Sequence, residues 1–295
     1  AVDSPVRVSV AMGVYNPRRP ADFLRAVESL RRQTLPDWEL LLYDDGSPPP
    51  AAALLRKAAA LDTRIRCLRG ETNRGLAHAL NACIRQARGN YIARLDDDDT
   101  AREDRLEKQV RFLEAHPEYQ WVGSNALLAD DRGDWGLLRV PEVPRETDFL
   151  FNSPYLHPAV TFRREALVQS GGYSRLARYR QVEDYELFMR LHAQGGRGCN
   201  LQEPLLRYRE DREALLRRTY RRRLREAALR LHGFRAHGIL RFSTLPYVLK
   251  PLLVGALPAP FYRALRRARH PLRPEGTGEG GNNESHGDAE RNESP

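Results

Sequence analysis

The strongest constraint on the fold is an alternation of strand-like and helix-like segments in the first third of the chain. Residues 6–12 alternate apolar with polar or small side chains, the period of a β-strand, and residues 23–30 repeat apolar side chains at helical spacing. Residues 38–47, WELLLYDDGS, form an apolar run that ends in a turn, as is typical of a buried parallel strand. The pattern predicts an α/β fold with a mostly parallel sheet flanked by helices.

Polar clusters follow three of the predicted strands. Tyr15 and Asn16 follow the first, Asp44 and Asp45 end the second, and residues 96–99 follow the apolar run YIARL. Ligands of open α/β sheets bind outside the carboxyl ends of the strands. We therefore expect the three clusters to meet at one edge of the sheet.

Residues 96–99 are four consecutive aspartates, which we call the acidic turn. Neighbouring carboxylates repel one another unless water screens them or a cation lies among them. Taken alone, this pattern favours two interpretations equally. One is a metal site, and the other is a solvated turn in which Asp99 or Thr100 caps a helix that starts directly afterwards.

Charge indicates an anionic partner. The chain of 295 residues has a formal net charge of +9, and residues 274–295 contain six acidic side chains and one arginine, so residues 1–273 carry +14. Such a basic body suits nucleic acid, nucleotide phosphates or an acidic membrane surface. The three cysteines lack the spacing of a metal site or a disulfide framework, and the first residues lack the pattern of a secretory signal. We expect a cytoplasmic protein.

The segment 210–273 joins arginine clusters to an apolar stretch at 245–257, which prolines and a lysine interrupt and which is too short to span a bilayer. Tyr247, Phe261 and Tyr262 lie among or beside these groups. The composition fits a peripheral segment on the anionic inner face of the plasma membrane, or a helical hairpin packed on the rest of the protein. The Gly- and Glu-rich segment 274–295 is expected to be disordered.

Six segments, taken in order, carry a family resemblance: VSVAMGVYN, LLYDDGS, NRGLAHALN, YIARLDDDDTAREDRL, HPAVTFRR and EDYELFMRL. Their order and separation resemble the blocks of family 2 inverting glycosyltransferases of the Rossmann-like GT-A fold. The likeness covers about two-thirds of the chain, and six ordered blocks are more specific than one motif. It implies a catalytic domain at 1–209 followed by the helical extension at 210–273 and the tail.

The resemblance implies a nucleotide-sugar donor, most simply a UDP-sugar, and Mg²⁺ or Mn²⁺ as the cofactor. Asp96 and Asp98 would be the metal ligands, since hard divalent cations prefer oxygen ligands, and Asp97 would lie near the ribose. Asp45 would accept the uracil N–H while Tyr15 packs on the base. Backbone near Gly13 and the turn at Arg74 and Gly75 would complete the nucleotide site. An ordinary strand-end turn at Asp45 and a plain rim aromatic at Tyr15 are the alternatives.

A helix is predicted from Glu183, with Asp184, Leu187 and Phe188 on one face, so that a carboxylate shares an apolar surface. The resemblance makes Asp184 the general base that takes the proton from an acceptor hydroxyl, with Glu183 and His157 in support. Two acids that complement the helix N-terminus are the alternative. Arg190 matches a family position, but a surface or salt-bridge role is equally compatible with its spacing.

The predicted function is transfer of a sugar to a hydroxyl of a glycan or lipid-linked acceptor, as in cell-surface polysaccharide synthesis. A nucleic-acid-binding protein that uses the arginine-rich helix would explain the charge but not the aspartates at the strand ends. A catalytically silent scaffold that binds sugar nucleotides is the third possibility. Because the aspartates need an explanation, no nucleic-acid partner is expected.

Overall fold

The computed structural model describes residues 5–210 and 219–272. These residues contain a nine-stranded sheet with the strands β1 (Val8–Val14), β2 (Trp38–Asp44), β3 (Ile65–Arg69), β4 (Tyr91–Arg94), β5 (Thr100–Ala101), β6 (Trp121–Asp130), β7 (Gly133–Leu138), β8 (Thr161–Arg163) and β9 (Gly198–Arg209). The α-helices in the same residues are α1 (Pro20–Arg31), α2 (Pro49–Ala59), α3 (Leu76–Gln86), α4 (Arg105–Ala115), α5 (Arg164–Gln169), α6 (Glu183–Ala193), α7 (Tyr220–Ala236), α8 (Leu245–Gly255) and α9 (Ala259–Arg269).

The sheet has the order β3-β2-β1-β4-β8-β6-β9-β5, and β7 pairs with β6. Strands β1, β2, β3 and β4 are mutually parallel, and β8 is antiparallel to both β4 and β6. Since β9 is parallel to β6, six strands run in one direction and β5, β7 and β8 run in the other. The prediction of a mostly parallel α/β sheet is confirmed.

Register sets the position of the polar clusters. Val14 lies opposite Asp44, so β1 and β2 end at the same level, and Arg94 at the end of β4 lies opposite Ala11. The acidic turn therefore leaves β4 beside the last residues of β1. As predicted, the carboxyl ends of three neighbouring strands present their polar residues at one edge.

Alternate residues of the central strands enter two apolar clusters, one on each face of the sheet. Leu40 and Leu42 belong to the cluster that contains side chains of α1, α2 and α4, and Leu41 belongs to the cluster with α3 and α6. Close packing of α3 explains Gly13, because a Cβ there would lie 2.9 Å from the Ala79 Cβ. Both faces of the sheet are thus covered, and its strand ends are left for a site.

One local prediction is wrong. A helix was expected to start directly after the acidic turn, capped by Asp99 or Thr100, but β5 occupies residues 100–101 and α4 begins at Arg105. The reason is tertiary pairing, since Thr100 and Ala101 pair with Arg207 and Leu206 of β9. The acidic turn therefore belongs to a strand-to-strand connection.

The carboxyl-terminal helices share the core of the sheet. Leu229 and Phe234 of α7 and Val248 of α8 lie in the same apolar cluster as α3 and α6. Gly233 allows this approach, because a Cβ there would lie 2.2 Å from the Met189 Sδ. Within the described ranges no helix is both long and apolar enough to cross a membrane. The predicted disordered tail at 274–295 lies outside the described residues.

Candidate functional site

The carboxylate of Asp45 holds the turn that precedes α3. It accepts hydrogen bonds from the backbone N–H of Gly75 at 2.8 Å and of Arg74 at 3.0 Å. Gly75 has φ +91°, a conformation that glycine adopts without strain, and so both N–H groups can point at one carboxylate. Three predicted nucleotide-site residues, Asp45, Arg74 and Gly75, are brought together here, although they come from separate segments.

A second set of contacts ties β2 to the end of β1. Asp44 accepts from the Ser47 N–H at 2.8 Å and from Arg69 Nη1 at 2.9 Å, and the Ser47 hydroxyl accepts from the Asn16 N–H at 2.9 Å. Tyr15, next to Asn16, is 49% exposed. Its ring lies at the rim of the strand-end edge, where a planar base could pack on it.

Two buried arginines lie behind the acidic turn. Arg94 is 1% exposed and donates to the Asp96 carboxylate and, at 3.3 Å, to the Ala11 carbonyl. Arg105 is also 1% exposed and donates to the Arg94 carbonyl at 2.7 Å. These guanidinium groups stabilise part of the negative charge that the sequence crowds into four positions. Sequence analysis missed them, although an arginine inside the apolar run YIARL was the available signal.

Within the acidic turn the carboxyl groups differ. Asp99 is fully buried and accepts from the Arg209 N–H at 2.7 Å, while Asp96, Asp97 and Asp98 are partly exposed. Burial, together with the charges of Asp98 and Asp96, raises the pKa of Asp97 to about 7. Burial and the same two charges raise the pKa of Asp99 well above its usual range. Repulsion between the carboxylates of the turn is therefore present despite the arginines.

The predicted helix from Glu183 is present as α6, and Leu187 and Phe188 are fully buried, as expected. Glu183 is 7% exposed and Asp184 is partly exposed. Burial raises the pKa of Asp184, and the charge of Arg222 on α7 opposes that shift. Burial also raises the pKa of Glu183, and the charge of Asp184 adds to the shift. Both carboxyls are thus better proton acceptors than ordinary acids of their type.

Charged groups of both the acidic turn and α6 act on the Tyr173 hydroxyl. This hydroxyl shares a 2.7 Å hydrogen bond with His157 Nε2, and burial raises its pKa, while the charges of Arg94, Asp184 and Asp96 all act on the same group. Burial, reinforced by Arg94, holds the pKa of His157 well below its usual range, so this imidazole is neutral. Tyr173 is therefore coupled electrostatically to both acidic groups, and no pattern in the sequence pointed to it.

Asn81 and Arg190 fix the segment that carries Tyr173. The Asn81 amide donates to the Tyr173 carbonyl at 2.8 Å and accepts from its N–H at 2.9 Å. Arg190 donates to the Ser170 and Gly172 carbonyls, at 2.5 and 2.7 Å, and pairs with Glu186. Of the two roles left open for Arg190, a salt bridge is observed, together with contacts that hold this segment.

The acidic turn offers part of a cation site. In residues 5–210 and 219–272 no group of three or more His, Cys, Asp or Glu side chains is placed to hold a metal ion by itself. Asp96 and Asp98 nonetheless offer carboxylate oxygens at the edge, and their charges contribute to the raised pKa of Asp97. Mg²⁺ is commonly bound by one or two carboxylates together with substrate phosphates, so this donor set fits a shared site.

Comparison with known proteins identifies the family. Residues 9–171, more than half of the chain, match the model of glycosyl transferase family 2. The chain belongs to this family. Its strand-end acids therefore lie in a glycosyltransferase of the GT-A fold.

Individual relatives agree with this assignment. The family 2 chain is 36% identical over 93% of its length to EpsE of Bacillus subtilis, a provisionally named glycosyltransferase, of which the match covers 98%. It is 27% identical over 88% of its length, and 94% of that protein, to an Escherichia coli UDP-Gal:alpha-D-GlcNAc-diphosphoundecaprenol beta-1,3-galactosyltransferase. A Pyrobaculum calidifontis mannosyltransferase, solved with GDP-Man and Mn²⁺, has a TM-score of 0.57 at 21% identity, covering 90% of this chain and 82% of that one.

Proposed function

We propose that this family 2 glycosyltransferase moves a hexose, with inversion, from a UDP-linked donor to a hydroxyl of a glycan or lipid-linked saccharide. The observation that carries the proposal is that β1, β2 and β4 end at one edge of the sheet, which brings Asp45 and the acidic turn to the same edge. The charges of Asp96 and Asp184 both act on the Tyr173 hydroxyl, which agrees with this arrangement. Tyr173 is thus coupled both to an acidic turn that could bind a cation and to a carboxyl that could accept a proton. The Escherichia coli relative is named for a UDP-linked donor and a lipid-linked saccharide acceptor, which supports the choice of substrates.

The donor nucleotide would bind where β1 and β2 end. The uracil N–H would donate to Asp45, whose two oxygens have capacity beyond the contacts with Arg74 and Gly75. The exposed Tyr15 ring would pack on the base, and the backbone at Gly13 would form the floor of this site. Asp97 would contact the ribose, which suits a carboxyl that is partly exposed at the start of the acidic turn.

Asp96 and Asp98 would hold Mg²⁺ or Mn²⁺. The cation supplies positive charge to the diphosphate that leaves when the glycosidic bond breaks. The raised pKa of Asp97 supports this role, because the charges of Asp98 and Asp96 contribute to it and a cation held by those two carboxylates would offset them. Arg94 keeps Asp96 oriented from the buried side.

Asp184 would be the general base. Its carboxylate would take the proton from the acceptor hydroxyl as that oxygen forms a bond to the anomeric carbon and the bond from this carbon to the diphosphate oxygen breaks. Desolvation favours this step, because it raises the pKa of Asp184. Glu183 and His157 support the base, Glu183 through its charge and His157 through Tyr173.

The place of action would be the cytoplasmic face of the membrane, in polysaccharide synthesis. A screen of nucleotide sugars for protection against thermal unfolding tests the donor and the metal together. UDP with Mn²⁺ should raise the Tm of the wild type, GDP should raise it less, and Asp98→Ala should abolish the metal-dependent part. Salt-sensitive binding to DNA with no effect of any nucleotide would instead favour a nucleic-acid-binding protein.

A further inference from the structure

An apolar face on the carboxyl-terminal helices has no partner in the described residues. Phe242, which lies just before α8, is 93% exposed, and Leu253 in α8 is 67% exposed. Leu245 and Leu249 are also exposed and precede Leu253 by eight and four positions, so all three lie on one side of the helix, and Leu257 follows. We call these five residues the leucine face.

The orientation of α8 is fixed by its other side. Val248 and Pro251 are buried, and Lys250 donates to the Phe151 carbonyl. Arg223 of α7 donates to the Pro251 carbonyl at 3.2 Å. Because these contacts hold the inner side, the leucine face cannot turn inward without breaking them. Its exposure is therefore a property of the folded protein.

Charge around the leucine face is strongly positive. Residues 219–272 contain twelve Arg and Lys side chains and one acidic side chain, Glu226. The exposed ones include Arg221, Arg235, Arg241 and Arg269. Exposed apolar residues among arginines continue on α9, at Phe261 and Leu265. Such a surface suits the interface of an anionic lipid bilayer. Leucine and phenylalanine side chains can enter the boundary of the acyl chains, and arginines can bind the anionic headgroups.

The length of α8 agrees with a helix that lies flat. Its 11 residues correspond to about 16 Å, roughly half the hydrocarbon thickness of a bilayer. A helix of this length with one apolar side can enter the headgroup boundary but cannot cross the membrane. A nucleic acid would use the arginines but would leave Phe242 and the leucines in water.

The helix that carries the leucine face contacts α7, which packs next to the segment before α6. A Cβ on Gly255 would lie 2.4 Å from Arg223 Cδ, so the end of α8 touches the start of α7. Arg225, also in the first turns of α7, donates to the Arg180 carbonyl at 3.1 Å, three residues before Glu183, and the charge of Arg222 acts on Asp184. A saccharide linked to a lipid in the same bilayer would therefore be presented on the Asp184 side.

We propose that the leucine face inserts into the headgroup boundary of an anionic bilayer and so brings the Asp184 side to lipid-linked acceptors. This inference rests on the proposed function for the acceptor, but membrane docking itself does not require catalysis.

The test is co-sedimentation of the full chain with vesicles of phosphatidylcholine alone or with phosphatidylglycerol added. The wild type should bind the anionic vesicles, and Phe242→Ser/Leu249→Ser/Leu253→Ser should reduce the partition coefficient at least tenfold. A matched variant with three exposed apolar residues replaced on other surfaces, Leu61→Ser/Val143→Ser/Val168→Ser, should bind like the wild type. Arg235→Gln/Arg241→Gln should weaken binding to anionic vesicles.

Two results would overturn the inference: equal binding by the leucine-face variant and the wild type, or no binding of the wild type to vesicles. If light scattering shows a dimer that the leucine-face variant dissociates, with no vesicle binding, the face contacts a second copy instead. Thermal protection by UDP and Mn²⁺ should be unchanged in the leucine-face variant. If UDP and Mn²⁺ did not protect the wild type either, the proposed function would be wrong. Membrane docking would then be tested by vesicle binding alone.

Discussion

The carboxyl groups on the two sides of Tyr173 are held in different ways. On the strand side, Asp44 and Asp45 accept hydrogen bonds from backbone N–H groups, and Asp96 pairs with a buried arginine. On the helix side, one oxygen of Glu183 is buried without a hydrogen-bond partner in the described residues, and burial is the main cause of the raised pKa of Asp184.

This difference separates two chemical tasks. Donated hydrogen bonds and a guanidinium favour the ionised form of a carboxyl, as binding a cation requires. Desolvation favours the protonated form, so a carboxylate there takes up a proton more readily. Burial is also the main cause of the raised pKa of Asp97 on the strand side, but there the charges of Asp98 and Asp96 add to it, and a bound cation would reverse that second part. The strand side should therefore respond to metal and the helix side should not.

The largest expected effect is on the helix side. Asp184→Asn should lower kcat by about 10²–10⁴-fold, because it removes the proposed base while keeping the shape of the side chain. Donor binding in the presence of Mn²⁺ should stay within about twofold of the wild type. Steady-state kinetics and calorimetry measure the two quantities, and Glu165→Gln, at the start of α5, is the control. If Asp184→Asn kept the kcat of the wild type, Asp184 would not be the general base.

On the strand side, Arg94→Met should lower the free energy of unfolding by about 3–5 kcal/mol, because it leaves buried and partly buried carboxylates without their cation. Arg111→Met replaces an arginine whose side chain is 78% exposed, and it should change the same quantity by less than about 0.5 kcal/mol. Urea unfolding measures both. Equal stabilities would mean that the arginine behind the acidic turn is dispensable.

Tyr173→Phe tests the connection between the two sides. It leaves His157 Nε2 buried without its 2.7 Å partner, which should cost about 1–3 kcal/mol of unfolding free energy. It should also shift the acidic limb of the pH dependence of kcat/KM, since the hydroxyl lies within reach of the charges on Asp96 and Asp184. A loss of stability with an unchanged pH profile would make Tyr173 purely structural.

The smallest effect concerns the pH dependence of stability. The pKa of Asp97 is raised from 3.8 to about 7 in the folded protein. Its stabilising contribution is thus fully present below about pH 4 and is lost as the pH rises through about 7. Because water screens this partly exposed carboxyl, the effect should be smaller than the roughly 4 kcal/mol that the full shift corresponds to. In EDTA, Asp97→Asn should match the wild type at pH 4 and exceed it by about 1–2 kcal/mol at pH 8. A pH-independent difference between the two proteins would contradict the raised pKa.

The same contrast explains what could be predicted from sequence. The residues of the strand side could be predicted from the periodicity of apolar residues within each segment. Once the strands are recognised as parallel, the residues at their carboxyl ends must meet at one edge of the sheet. The apolar spacing of α6 placed Asp184 on a face with Leu187 and Phe188, and its predicted role as the base came from the family resemblance. Arg94, Arg105 and Tyr173 were missed, because their roles depend on contacts between segments far apart in the chain. The β5 pairing with β9, which displaced the expected helix start, is a tertiary contact of the same kind.

The most direct test of the central claim compares Asp98→Ala with Asp184→Asn in one set of measurements. Binding of a UDP-sugar with Mn²⁺ is followed by calorimetry, and transfer to an acceptor is followed by release of UDP. Asp98→Ala is expected to lose metal-dependent donor binding. Asp184→Asn is expected to keep donor binding and to lose sugar transfer. Two results would contradict the assignment of metal and donor binding to the strand side and of proton transfer to the helix side. One is an equal loss of donor binding in both variants, and the other is wild-type donor affinity in Asp98→Ala.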